Sequence, residues 1–488
     1  MQRVLAIVLL LAIIAGCGAQ STPTSGGPTA TAQITERPTL APATTSAAGP
    51  PTNPPASTGD SATVVYQQPG DGSLRGITAA GIARELAEPT RPFQTLPWSA
   101  SPDGRTVAVL VVDGGGPKDA GLAKADLWTA GIDESNPRKL LALAGPDPGL
   151  DAIAASTRKS ALINPQFQQL LWTPDGREII VTSAHEGQVD LYAVASDGGA
   201  VRRLTNTPAV EIYAALSPDG RRLAYASATS FGTGAGWADP TAWVQELDGP
   251  PQPLIGAGAE VGGAVELPGW LNNETALAIL HDGRGTTSVW VHAGDADSRQ
   301  LYASPNPTAW DLVPGQFAVV RGADDPTAPG ETLIWRGDTE ALVPLENGAA
   351  NAVTLSPDLD LLLLCGGTGG AAGGLALWNA GQRAEFGDGQ CGSAVWSSSG
   401  KLAVGNDENS TLSTGLIVGP DGGVAESNLP PGAIMVGWLG DELYFFGLNV
   451  GNIWQLYRLD TAGSAGPQAV GQPVADRPVA PQLVVAQP

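Results

Sequence analysis

Positive charge is what this 488-residue chain has least of: 25 Lys and Arg against 48 Asp and Glu leave a formal charge of −23. No basic stripe exists to displace counterions from a phosphate backbone, which excludes nucleic acid as a partner. The same balance argues against docking by charge on anionic lipid headgroups. Histidine is scarce, with three residues, and a metal needs three or four ligands, so no metal and no cofactor are expected. Catalytic motifs are missing as well. There is no Gly-x-Ser-x-Gly elbow, no glycine run ends in Gly-Lys-Ser/Thr, and the H-E-x-x-H pattern opened by His185-Glu186 fails at Val189. Charged residues make up only 15%, while 64 Gly and 41 Pro predict many turns and little helix.

What is there is a repeat. From Leu170 to Ser227 the same phrase occurs twice, "LLWTPDGREIIV" and "AALSPDGRRLAYA". Each reads as a strand, a tight Pro-Asp-Gly turn and a second strand. After the first come an aromatic-bearing third strand (Asp190 to Val194), an Asp-Gly-Gly turn and a fourth strand (Val201 to Leu204). Four antiparallel strands of this kind make one blade of a β-propeller. Related phrases begin at Leu96, Leu267, Ala309, Ala352, Ala394 and Met435, mostly at intervals of roughly 41 to 54 residues. The first interval, about 72 residues, must hold an insertion. A large flat side chain recurs in the third strands (Trp128, Tyr192, Trp243, Trp290, Trp335, Trp378, Trp454), with Leu416 in the seventh unit. Packing between blades requires such a residue, so the tryptophans are assigned to the core.

The fold class is therefore all-β: a single β-propeller of four-stranded antiparallel blades spanning residues 63–488. Eight blades are expected, with seven as the alternative. Short strands at Thr63 to Tyr66, Leu74 to Thr78, Arg84 to Ala87 and Gln482 to Ala486 complete or extend one closing blade, which removes an exposed edge. The phrases "SPDGRRLAYAS" and "DLYAVASDGGAVRRLT" resemble the TolB-type propeller repeat, which also occurs in propellers attached to prolyl-oligopeptidase-like peptidases. The resemblance is strong in units one to three and at Ser356-Pro357-Asp358. It implies a fold and no activity, because Asp and Gly are there to make the turn.

At the front, Arg3, an apolar run from Val4 to Ile14 and Ala15-Gly16-Cys17 form a signal-peptide pattern too short to span a bilayer comfortably. Ile14-Ala15-Gly16-Cys17 resembles the lipobox of bacterial lipoproteins. That resemblance implies removal of residues 1–16, a lipid on the Cys17 sulfur and a place in the cell envelope, anchored to the extracytoplasmic face of a bacterial membrane. Residues 17–62, rich in Ser, Thr, Pro and Ala, cannot bury enough apolar surface to offset their ordering entropy and read as a disordered stalk.

Candidate functional residues lie where loops break the repeat. In a propeller, the connections from second to third strand and from fourth strand to the next blade share one face. Gly114 to Lys124, Gly145 to Gln169 (with a short helix from Leu150 to Leu162), Ala228 to Thr241 and Gly322 to Gly330 all fall there. Asp113, His185, His281 and Arg321 are the candidate binding-face residues. Cys365 and Cys391, on neighbouring blades in an oxidising compartment, are expected to form a disulfide. The expected function is a non-catalytic binding scaffold, monomeric and membrane-held through its lipid, for a protein or a cell-wall component. The alternatives are a propeller enzyme of the polysaccharide lyase or glycosidase type and a glycan-binding protein.

Overall fold

The computed structural model describes residues 62–487 except 88–96, 114–123, 146–148, 165–166, 231–237, 256–262, 283–284, 295–296, 306, 322–329, 338–340, 358–360, 366–373, 389–392, 406–414, 431 and 464. Nine four-stranded antiparallel sheets follow one another around a propeller, one more than the expected eight. The eight repeat units each form a blade, from blade 1 (Trp98–Ala100 through Arg138–Ala142) to blade 8 (Ile434–Leu439 through Gln468–Val474). The ninth, here the closing blade, takes Ala62–Gln67, Leu74–Thr78 and Ala83–Ala87 from the front of the chain and Val479–Val485 from its end. Three strands plus one are a full blade's complement. The terminal strands therefore build a sheet of their own instead of completing or extending one of the eight.

The Pro-Asp-Gly turn joins the first strand to the second, and its parts repeat at atomic detail. In blades 1, 2 and 3 the turn aspartate accepts a hydroxyl and a backbone N–H: Asp103 from Ser101 and Arg105, Asp175 from Thr173 and Arg177, Asp219 from Ser217 and Arg221. Gly176 and Gly220 follow at φ +70° and +74°, a conformation costly for any residue with a Cβ. The glycine also meets the preceding turn. A Cβ on Gly220 would lie 2.5 Å from Cδ of Pro174, and one on Gly176 would touch Pro102 at 3.8 Å. The motif thus joins blades as well as turning chains. In blade 7 the turn reads Ser-Ser-Ser-Gly, and Ser397 and Ser399 bond to each other at 3.1 Å in place of the aspartate contact.

Tryptophan at the turn end of the first strand closes the seams further. Nε1 of Trp172 donates to Ser99 O at 3.4 Å, Trp270 to Ala215 O at 2.9 Å and Trp438 to Val395 O at 3.0 Å. Each acceptor lies on the inner strand of the blade before, whose channel-side carbonyls have no ladder partner. Third-strand Trp335 and Trp378 pack into clusters shared with the preceding blade, as expected for inter-blade core.

The C-terminal strand fixes the ring. Its end occupies the place that a preceding turn occupies elsewhere: a Cβ on Gly104 would sit 2.2 Å from Val485 O. Gln487 N donates to Asp103 O at 2.9 Å, and Arg105 donates to Gln487 O at 2.9 Å. Val65, Leu74 and Val484 share a core with Val107 and Val109 of blade 1, while Val64 and Ile77 share another with Tyr444 and Phe446 of blade 8. Cys17, Cys391, the stalk and most of the long loops lie outside the described residues. Among the described residues no helix is long and apolar enough to cross a membrane.

Candidate functional site

The four candidate residues stand at the loop ends of second strands: Asp113 ends Thr106–Asp113, His185 follows Glu178–Ser183, His281 ends Thr275–His281 and Arg321 ends Gln316–Arg321. They share a face but belong to blades 1, 2, 4 and 5. The fold does not gather them, and among the described residues no three His, Cys, Asp or Glu side chains converge to hold a metal ion. Arg321 is held by Glu331 of the adjacent strand at 2.5 Å. The loop face also carries the helix Ala152–Ile163, N-capped by Asp151, whose Oδ1 accepts the N–H groups of Ile153 and Ala154.

His281 heads a small constellation between blades 4 and 5. Its Nε2 lies 3.4 Å from Oε1 of Glu266, and its Nδ1 is 2.9 Å from the Thr287 hydroxyl. Trp310, on the inner strand of blade 5, donates to the other Glu266 oxygen at 2.8 Å. Burial pushes the Glu266 carboxyl up, but the bonds from His281 and Trp310 outweigh it and hold the group below the usual carboxylate range. A charged carboxylate with both oxygens occupied is a fixed acceptor, not a proton donor.

His185 is exposed and lies edge-on to Tyr192, ring centroids 6.3 Å apart. Beneath it, Arg203 bonds Glu186 at 3.2 Å and the buried Asp190 at 2.5 Å. Glu211, at the head of the next inner strand, is also fully buried. Sequence reasoning missed Asp190, Arg203, Glu211 and Glu266, although a signal existed. Glu211 and Glu266 are carboxylates inside otherwise apolar inner-strand phrases, "AVEIYAAL" and "AVELPGW".

One further feature of this face is the hairpin between the second and third strands of blade 8. Leu448, Val450 and Ile453 are exposed there, Val450 fully. Asn449 braces the turn: its side chain accepts from Gly451 N at 2.8 Å and Ile453 N at 3.2 Å. The backbone closes through Asn449 N to Ile453 O at 3.0 Å. From Leu443 to Tyr457 there is no charged residue. Two clefts, of about 770 and 730 Å³, open on the opposite, turn-bearing end and are lined by repeat residues such as Asp175, Ser196 and Asp197. Their aspartates brace turns: Asp175 accepts from the Thr173 hydroxyl and Arg177 N, and Asp197 from Gly199 N. Cys365 is buried and disulfide-bonded, while the other two cysteines lie outside the described residues.

No family model matches the chain. A curated relative, the protein TolB homolog of Chlorobium luteolum, is 40% identical over 55 residues, which is 11% of this chain and 13% of that relative's length. Among solved structures, TolB from Acinetobacter baumannii is 12% identical, covers 68% of this chain and 81% of its own, and superposes with a TM-score of 0.31. Dipeptidyl peptidase 4 from Porphyromonas gingivalis is 9% identical, with 85% and 60% covered and a TM-score of 0.45. At these values neither blade number nor activity transfers from the solved structures. With its Pro-Asp-Gly phrase written into successive four-stranded blades, the chain is a β-propeller that is similar, over those 55 residues, to a TolB homolog.

Proposed function

We propose that the protein is an extracytoplasmic binding scaffold, tethered to a membrane by lipid on Cys17, whose loop face receives a protein partner. The observation that carries this reading is the polarity of the ring. The strand Ala62–Gln67 begins at the turn-bearing end, where Ala62 pairs with Val485 beside the blade 1 turn. The chain therefore enters its first propeller strand at that end. The helix, His185, His281 and the uncharged Leu448–Ile453 hairpin all stand at the other. A braced apolar turn suits an apolar recess of a protein, because little ordering entropy remains to be lost on binding. At −23 the domain gains nothing from an anionic lipid surface.

The test is site-directed crosslinking in envelope preparations. A photoreactive residue at Val450 or His185 should capture a partner, and one at Arg177 on the turn face should not. Equal capture from both ends would sink the polarity argument. Cys17→Ser should release the protein from the membrane fraction. Turnover of an envelope glycan, lost in His281→Ala, would replace this reading with the enzymatic one.

A further inference from the structure

Two buried carboxyl groups meet at the seam between blades 2 and 3. Asp190 opens the third strand of blade 2, Glu211 is the second residue of the blade 3 inner strand Val210–Leu216, and both are 0% exposed. Asp190 receives Arg203 at 2.5 Å and the Thr205 hydroxyl at 3.5 Å, while Glu211 Oε1 accepts from Thr207. Glu211 Oε2 accepts nothing from any described residue, and the Glu211 backbone N–H donates to Val189 O at 3.4 Å, which sets its side chain beside Asp190. Two carboxylates side by side in a buried seam are not both ionised, because each would face a like charge in surroundings of low polarity. If one is a carboxylic acid, its hydroxyl donates to the other. The single positive charge of Arg203, shared with Glu186, then balances the remaining carboxylate.

We infer that Asp190 and Glu211 share one proton, that this proton latches blade 3 to blade 2, and that its loss loosens the seam beneath His185 and Glu186. This latch stands whether or not the loop face binds a protein. Burial raises both carboxyls, and it carries Glu211 to about 8, with the nearby Asp190 charge adding to the rise and the Thr207 bond opposing it. Arg203 is the cation paired with Asp190 in this seam. Tyr192 and Tyr225 are phenols pushed further up by burial. On the helix, Arg158 donates to Ala144 O, and Lys159 is only half-buried. Glu178 and Arg222 lie toward the turn ends of their strands, bonded to Arg202 and Glu246. On the other flank Glu266 is taken by His281 and Trp310.

Hydrogen exchange on residues 58–488, which form one compact unit, tests the latch. Exchange is followed from about pH 6 to about pH 9.5 and corrected for its intrinsic pH dependence. Protection of the Val210–Leu216 amides should fall by about tenfold for each pH unit above the latch titration, because one pKa unit is a factor of ten. In Glu211→Gln, whose amide supplies the same donor to Asp190, protection should stay flat. An equal fall in the variant, a fall shared by every blade, or a flat wild type overturns the inference. Infrared spectra give a second readout that does not depend on the variant folding. A neutral carboxylic acid carbonyl band at pH 7 that disappears in more alkaline solution supports the latch, and its absence at pH 7 overturns it.

Discussion

Ala209-Val210-Glu211 and Ala264-Val265-Glu266 are the same tripeptide at the head of neighbouring inner strands, yet burial raises the Glu211 carboxyl while bonds from His281 and Trp310 overcome burial and lower that of Glu266. The bulge decides this. In blade 3 the ladder skips between Ile212 and Ala215, and in blade 4 between Glu266 and Gly269, so Glu266 corresponds to Ile212 and not to Glu211. A shift of one residue sends a side chain to the other face of its strand. Glu211 faces blade 2 and its acidic partner, while Glu266 faces blade 5 and its donors. The sign of the pH effect follows. Glu211 is raised above its unfolded value of 4.5, so its contribution is complete below about 4.5 and is lost as pH rises through about 8. The urea midpoint of Glu211→Gln should therefore decline less than wild type across that window. The turn aspartates act in the opposite sense. Asp103 and Asp175 are held low chiefly by their Ser101 and Thr173 hydroxyls, and their contribution disappears as pH falls through their lowered values. Glycines separate strain from contact in the same way. Gly220→Ala should cost about 2 kcal/mol or more, because it adds a clash with Pro174 to the left-handed penalty. Gly187→Ala, with nothing within 4 Å, should cost only the backbone term. Denaturant midpoints of the two variants measure the difference.

Strands and turns were the most legible elements. The Pro-Asp-Gly phrases, the third-strand aromatics and even the strands at both chain ends could be read from the sequence, because period-two apolar patterns and turn residues are local signals. The helix was also visible, expected at 150–162 and found at Ala152–Ile163. Seam chemistry was not legible. Whether Glu211 meets Asp190, or Trp270 reaches Ala215 O, depends on bulges and on the neighbouring blade, and no sequence window contains both partners. Trp270→Phe removes the N–H donor together with the five-membered ring of the indole, so it costs a cavity as well as a hydrogen bond. The same substitution at Trp396, whose Nε1 is buried without a partner among the described residues, costs the cavity alone. Chemical denaturation should show Trp270→Phe to be the more destabilising of the two by about 1 kcal/mol, the usual worth of a hydrogen bond.

At the scale of the whole molecule, blade number turned on one strand. Eight units count cleanly in the sequence, and the surplus strands at the ends could have joined an existing blade. Their pairing shows a ninth, since Val479–Val485 fills the inner position that Ala62–Gln67 leaves open. Removing residues 479–488 should therefore expose an edge and two half-built cores. The truncated domain should lose cooperative unfolding and bind a hydrophobic dye, and retention of both the midpoint and the m-value would contradict closure by this strand. The same arrangement sets a timetable for biogenesis. The strands Ala62–Gln67, Leu74–Thr78 and Ala83–Ala87 complete their sheet only after the eight blades between them and Val479–Val485 have been synthesised. Until Val479–Val485 pairs, the Ala62–Gln67 edge stays open to any other extended chain, and a molecule stalled before Val479 is a template for mispairing. One strand turns an open arc into a ring.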